Sequence, residues 1–585
     1  MQKQTSLTHF VRFLLLFIAE GVAAFIWFIS IPSEKGSGAI FGLSKSRWAL
    51  AALIVLLIGC AVYALVRALH AGLETRLHSS LDRLLIAPAK RLFAVQTGMV
   101  LALIFLIELF FLTFILFPPF TRPLFLWAAL FCLQSWLFLR LRYRNEYRRR
   151  PSLGKSIQLK WRAFSPVQRS VFLVLSLIGL VYFCIFIPLN SLGWNGPADA
   201  FYSGVDEHIQ YPIAVYTLTP GETFSSTVYH LTANEDDVYG HPYVALEALI
   251  LLPSRLIYGV NFGEKVQLNL MLLRQFINVL PLALAMFLLV YLITRFRSLW
   301  TSTALYLFLL TIPGTVKFGI RFLHPDALIL LLIVLTIFFL QRDRYRFGKN
   351  FYLAAAACSL AAVIKLWGFF FFLPVAVYLL SGLFRKDLGL ARMLRVGLAF
   401  ILIMFVTALL SDPGLLIPSV LKELIAGVRG QIANRSVGYS EPGLSDVYRK
   451  DFPTWMKYFE IYYIQEYYFF FCFACLALAA FFSDRKLTAL ILLCWCFTLT
   501  VFFSNFLAAK SYWYMMELLV PLYGAPLLLP SLSASEPLLH RLKFLARPGV
   551  NRLLWGIVAL FCTSQFVFNV IKIVTSPYIL GYAKL

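Results

Sequence analysis

The sequence predicts an all-α polytopic membrane protein with roughly 13–15 transmembrane helices, and three observations carry that reading. Hydrophobic residues make up 60% of the chain and charged ones only 14%, whereas soluble domains hold about half and about a quarter. The apolar residues are gathered into runs, many of them near the ~20 residues that cross a bilayer. The basic residues, which leave a net charge of +24, sit in short segments between those runs. Charge spaced in this way excludes nucleic acid as the partner and points to the lipid bilayer and its anionic headgroups.

In chain order the candidate spans fall near 11–31, 48–70, 93–118, 123–140, 169–189, 270–294, 299–313, 324–340, 351–365, 367–383, 393–411, 467–482, 486–503, 513–530 and 551–572. The first follows Lys3 and Arg12 with no small-residue cleavage site behind it, and is expected to be an anchor. Orientation comes from two neighbouring segments. Residues 140–169 hold ten Lys or Arg and one acid, Glu146, so they are expected inside; residues 190–242 hold seven acids and no Lys or Arg, so they are expected outside. Alternation then puts Arg295 and Arg297, the run Gln341 to Lys349, Arg385 with Lys386, Arg485 with Lys486, and Arg541 to Arg552 inside. Each of these connections is basic.

Two regions follow. Residues 1–165 form an N-terminal membrane module of about four helices with a basic linker; no function is assigned to it, and its Glu20 pairs with another helix in the simplest reading. Residues 166–585 carry two long outer segments, 190–269 and 412–466, where a membrane enzyme has room to gather its chemistry. No internal repeat supports transporter-like symmetry. The nine cysteines all fall in apolar runs and read as small packing residues. The sequon Asn434-Arg-Ser436 settles nothing about the host.

The first outer loop sets Asp206 and Glu207 side by side, followed by His208, Gln210 and Tyr211. A carboxylate just beyond a membrane helix and among aromatics is partly desolvated and suits a general base acting on a hydroxyl. The alternative, that these acids solvate the loop and cap a helix, stays open. The loop ends in Tyr239-Gly240-His241-Pro242-Tyr243, ahead of Glu247. A metal site from Asp206, His208 and His241 lacks diagnostic spacing; no metal and no cofactor is expected. Further on, Arg321-Phe-Leu-His324-Pro325-Asp326 opens a span, Lys365 lies between two spans, and Lys510 precedes Tyr512-Trp513-Tyr514 and Glu517. Charges beside hydrocarbon face a partner or a wet cavity, unless they snorkel. Several cations at one depth opposite a carboxylate loop fit a phosphate-binding cavity.

Asp206-Glu207-His208-Ile209-Gln210, Tyr239 to Pro242, Arg321 to Asp326, Ile364-Lys365-Leu-Trp-Gly368 and Tyr512 to Pro521 occur in an order that resembles the GT-C class of membrane glycosyltransferases. That class uses polyprenyl-phosphate sugars and includes protein O-mannosyltransferases and aminoarabinose transferases. The resemblance implies a GT-C-like core over about residues 165–530 and an active site on the extracytoplasmic face of a bacterial cytoplasmic membrane. It implies an inverting displacement that moves a sugar from the polyprenyl-phosphate donor to a protein, lipid or glycan acceptor. Carried across, Asp206 is the base and Glu207 its neighbour, both in catalytic roles. Lys365, Lys510 and Arg321 hold the phosphate, and His208, Gln210, His241, His324, Asp326, Tyr512 and Glu517 are further substrate contacts. Arg429, Arg435, Tyr439, Asp446 and Tyr448 cover the site or select the acceptor. His324-Pro-Asp326 replaces the commoner arginine-proline-aspartate, and His241-Pro242-Tyr243 lacks a second proline. Three rivals remain: a transporter or lipid flippase, a polymerase or ligase using pyrophosphate-linked carriers, and a non-catalytic scaffold.

Overall fold

The computed structural model describes residues 161–192, 204–232, 239–416, 418–437, 449–531 and 548–576, with residue 158 and short pieces between 22 and 57. The chain divides into two compact units, Met1–Phe164 with Leu218–Leu231, and Ser165–Thr217 with Thr232–Leu585. In the first unit a two-residue ladder pairs Ala39–Ile40 with Leu43–Ser44. Apart from Val22 and a few helical residues between 45 and 57, the four predicted early spans lie outside the described residues, as does Glu20.

The second unit is built of helices joined by short turns, with no strand among its described residues. Helix α1, Pro166–Asn190, starts where Ser165 and Gln168 cap one another: the Ser165 hydroxyl accepts the Gln168 N–H and the Gln168 side chain accepts the Ser165 N–H. Next come α2 (Gly204–Thr217), α3 (His241–Tyr258) with a 3₁₀ extension Gly259–Glu264, and α4 (Val266–Leu273). A π turn, Arg274–Val279, joins α4 to α5 (Leu280–Thr294). Then follow α6 (Leu299–Leu310), α7 (Pro313–Phe318), α8 (Asp326–Asp343), α9 (Lys349–Lys365), α10 (Phe372–Phe384), α11 (Leu390–Ser411) and α12 (Pro418–Val437). The chain continues with α13 (Phe452–Tyr462), α14 (Glu466–Phe482), α15 (Lys486–Phe506), α16 (Met516–Tyr523) and α17 (Pro548–Thr575).

Among the described residues seven helices are long and apolar enough to cross a membrane, or eight if the pair α13 and α14, bent by 105°, counts as one span. The protein is thus an all-α polytopic membrane protein, with a smaller set of full-length spans in these residues than the apolar runs predict. The reasons are local. The run 299–313 yields only the 12 residues of α6, because Pro313 opens a new helix. The run 513–530 breaks into a 3₁₀ turn, the 8-residue α16 and a second 3₁₀ segment, with Pro521, Gly524 and Pro526 interrupting it.

Side-chain contacts sort the helix ends into two groups. At one end the Gln168 amide donates to Arg295 O (3.1 Å), Arg485 donates to Thr294 O (3.4 Å), and Arg297 pairs with Asp484. Gln341 joins the same end through Thr488, and Asp343 staples the α8–α9 turn there by accepting the Phe347 and Gly348 N–H groups and the Tyr378 hydroxyl. This is the basic end. At the opposite end Arg274 donates to Asn190 O and Leu192 O, where α1 finishes.

Helix α3 with its extension spans 24 residues and is apolar enough to cross, yet both its ends are fixed at the opposite end. Its start is tied to α9, where the Gly240 N–H donates to Ile364 O (3.2 Å). Its finish is tied to α2, where the Tyr211 hydroxyl donates to Gly263 O (2.8 Å), one turn beyond the Glu207 that holds Arg274. The helix therefore lies across that end of the bundle instead of passing through it, and leaves Ile257 and Val260 exposed.

Candidate functional site

The strand of chain between α7 and α8 is the centre of the site, and it is held from three sides. Glu207 of α2 is wholly buried; it takes two bonds from the Arg274 guanidinium (3.0 and 2.6 Å) and one from the Leu323 backbone N–H (2.7 Å). The Asn278 amide donates to Ile320 O and Phe322 O. Arg321 is buried and donates to Leu189 O at 3.3 Å. A buried charge survives only with a partner and further hydrogen bonds, and Glu207 has both. With this segment fixed, the His324 ring lies against Phe322, stacked at 5.5 Å, and against Trp513 at 5.4 Å.

Asp326, at the first residue of α8, draws four groups together. The Lys365 ammonium is 2.6 Å from one oxygen, His324 Nδ1 is 2.5 Å from the other, and the buried Glu517 carboxyl faces it. The far nitrogen of the imidazole, Nε2, is hydrogen-bonded to the Tyr239 hydroxyl. Tyr239 arrives there because Gly240 lets the loop press onto α9: a Cβ on Gly240 would meet Val363 O at 2.1 Å. Lys365 closes α9, and Leu366 beyond it adopts a left-handed φ of 56° that reverses the chain. For a leucine that conformation costs about 1–2 kcal/mol, so the packed segments impose it.

The Lys365 ammonium lies 4.5 Å from the centre of the Tyr514 ring and 5.5 Å from that of Tyr239. On Tyr514 it is joined by Arg435 of α12, whose guanidinium is 5.3 Å from the same ring and donates to the Ser511 hydroxyl (3.3 Å). The backbone carbonyl of Arg435 accepts the N–H groups of Ala508 and Ala509, which ties α12 to the segment before Tyr512. Lys510 is differently employed. Its ammonium donates to Arg449 O (2.6 Å) and Ala508 O (3.0 Å) beside Trp455 and Tyr458, and loss of solvent lowers its pKa to about 8. Tyr512 stacks on Phe318 with Tyr462 edge-on, so it belongs to an aromatic box.

The residues singled out in the sequence are thus distributed as follows. His324, Asp326, Lys365 and Glu517 share one cluster, and Arg321 lies in the segment that carries it. Glu207 is committed to Arg274 and Leu323, which makes it the anchor of that segment. Asp206 lies in the first turn of α2, and its side chain is outside the described ones. His208 is exposed and Gln210 buried on the same helix. His241 opens α3 against Asp412, whose carboxyl also meets the N–H groups of Gly414 and Leu415; burial raises the Asp412 pKa, and His241 and those N–H groups counter it. Tyr439, Asp446 and Tyr448 lie outside the described residues. Sequence reasoning missed Tyr239 as a site group, Arg274 as the Glu207 partner, and the pairing of Arg435 with Lys365. Arg274 carried a signal, being a lone arginine near the start of an apolar run.

Among the described residues no three His, Cys, Asp or Glu side chains converge as metal ligands. Compared with known family models, curated proteins and solved structures, the chain matches none.

Proposed function

We propose that this protein transfers a sugar from a polyprenyl-phosphate carrier to an acceptor at the extracytoplasmic face of the membrane. The observation that carries the reading is the cluster of Tyr239, His324, Asp326, Lys365 and Glu517. Four distant stretches of chain meet there, at the end of the bundle opposite the basic connections. By the positive-inside rule the basic end faces the cytoplasm, so the cluster faces outward. Lys365 and Arg435 flank one aromatic ring and supply the positive charge that a departing phosphate requires. The resemblance to GT-C enzymes assigns Asp206 as the base that deprotonates the acceptor while the sugar carbon is attacked from the face opposite the phosphate.

Purified protein in nanodiscs, given a panel of radiolabelled polyprenyl-phosphate monosaccharides, tests the proposal. Wild type should release sugar from one donor; Asp206→Asn should still bind that donor and lose turnover by ~100-fold or more. Vectorial movement of the intact lipid or of a solute across the bilayer, without cleavage, would instead make the protein a transporter.

A further inference from the structure

Tyr239, His324 and Asp326 lie in sequence: the Tyr239 hydroxyl is hydrogen-bonded to Nε2 of His324, and Nδ1 of the same ring faces the Asp326 carboxylate as a close ion pair at 2.5 Å. The order is that of a catalytic triad, in which a buried carboxylate holds an imidazole and the imidazole serves a hydroxyl. More surrounds this line than packing needs. Phe322 and Trp513 fix the plane of the imidazole, and Glu207 fixes the backbone before it through Leu323. The carboxylate is also shared with Lys365, whose ammonium stands over the Tyr239 ring. The hydroxyl at the end of the relay therefore lies beside the cation proposed to hold the donor phosphate.

We infer that Tyr239 is the general acid of the transfer and that His324, positioned by Asp326, supplies its proton. The inference rests on the glycosyltransferase reading and names the group that acts on the leaving side, where Asp206 acts on the acceptor side. As the acceptor oxygen bonds to the anomeric carbon, the carbon–oxygen bond to the phosphate breaks and its electron pair stays on the phosphate oxygen. The Tyr239 hydroxyl proton passes to that phosphate. The His324 Nε2 proton passes to the Tyr239 oxygen, and the imidazolium, stabilised until then by Asp326, becomes neutral imidazole. The acceptor proton leaves through Asp206, and the relay recovers a proton from water after the phosphate departs.

Tyr239→Phe tests this while keeping the ring that packs on Tyr243 and His324. The expected result is a kcat ~100-fold lower with donor KM within about twofold, a deficit that shrinks when a phosphorothioate donor, which leaves as a weaker base, replaces the natural one. His324→Gln should behave alike, and Tyr243→Phe should stay near wild type. A readout that needs no turnover is the ³¹P resonance of sugar-free polyprenyl phosphate bound to the protein, which should move on Tyr239→Phe. If the lipid phosphate binds and neither its resonance nor kcat responds to Tyr239→Phe, the relay is wrong and the transferase reading survives. If wild type binds no polyprenyl phosphate, or binds inorganic phosphate equally well, the donor assignment fails and the relay with it.

Discussion

Two arginine–carboxylate pairs stand at opposite ends of the second unit, and the same chemistry does different work in each. Arg274 and Glu207 meet at 2.6 Å with side chains 1% and 0% exposed; Arg297 and Asp484 meet at 3.1 Å with side chains 65% and 32% exposed. The buried pair is two-pronged and has outside partners, Leu323 N–H on the acid and Asn190 O and Leu192 O on the base. The exposed pair is open to solvent, with Arg485 as a second, looser neighbour of Asp484 at 3.7 Å. Under the proposed orientation, charge at the basic end sets which way the chain threads the bilayer, and charge at the other end fixes side chains in place.

The sharpest test of that contrast is Arg274→Ala. Removing one partner leaves Glu207 buried and uncompensated, a loss of about 3–5 kcal/mol, which thermal unfolding in detergent would register. The segment Ile320–His324 would lose its anchor too, so sugar release should fall further than stability alone explains. An unfolding midpoint close to wild type would mean that the pair is ornamental and that Asn278 alone holds the segment.

How much of this was legible in the sequence follows the range of each interaction. Apolar run length located long spanning helices such as α1, α11 and α15, because crossing a bilayer is a one-dimensional requirement, but it overcounted at 299–313 and 513–530, where prolines interrupt the run. Loop charge separated the ends, and the contacts of Gln168, Arg295, Arg485 and Thr488 gather those basic connections at one end. His324, Asp326, Lys365 and Glu517 stood out as charged groups beside hydrocarbon, and they do meet. Their partners were hidden. Tyr239 and His324 are 85 positions apart, and Glu207 and Arg274 are 67 apart; nothing in either local pattern says which of several polar groups closes the contact. Lys510 looked equal to Lys365 by depth, but backbone carbonyls that no composition reveals occupy its ammonium. The sequence places residues 190–269 in an outer segment, and α3 within it lies across the end of the bundle, tied at Gly240 and Gly263, although its length and apolar composition alone would suit a span.

Lys510 allows a smaller and more conditional test. Its pKa is lowered to about 8 from 10.5, chiefly because it is removed from water. The folded state therefore binds fewer protons than the unfolded state between those values, and this lysine makes stability rise with pH across that window. Below pH 8 the buried ammonium is a standing cost that the neutral amine escapes. Between pH 8 and 10.5 the unfolding midpoint of wild type should rise relative to that of Lys510→Met, because only the lysine gains stability in that window. Parallel curves would show that the ammonium is solvated after all, and would return Lys510 to the list of cations open to a phosphate.

The smallest effect belongs to the exposed pair. Arg297→Ala and Asp484→Ala should each cost less than about 1 kcal/mol. Their coupling in a double-mutant cycle should fade as salt rises from roughly 0.1 to 1 M, where the screening length drops to a few ångströms. Arg485 complicates the reading, because it also approaches Asp484 (3.7 Å) and donates to Thr294 O; the cycle is therefore best run with Arg485 intact in every variant. A coupling above about 2 kcal/mol that ignores salt would mean the basic end is organised like the site end. A weak, salt-sensitive coupling leaves its arginines with the task their distribution already suits: they hold the membrane at their level by number, so no single one is indispensable, whereas Arg274 has no substitute.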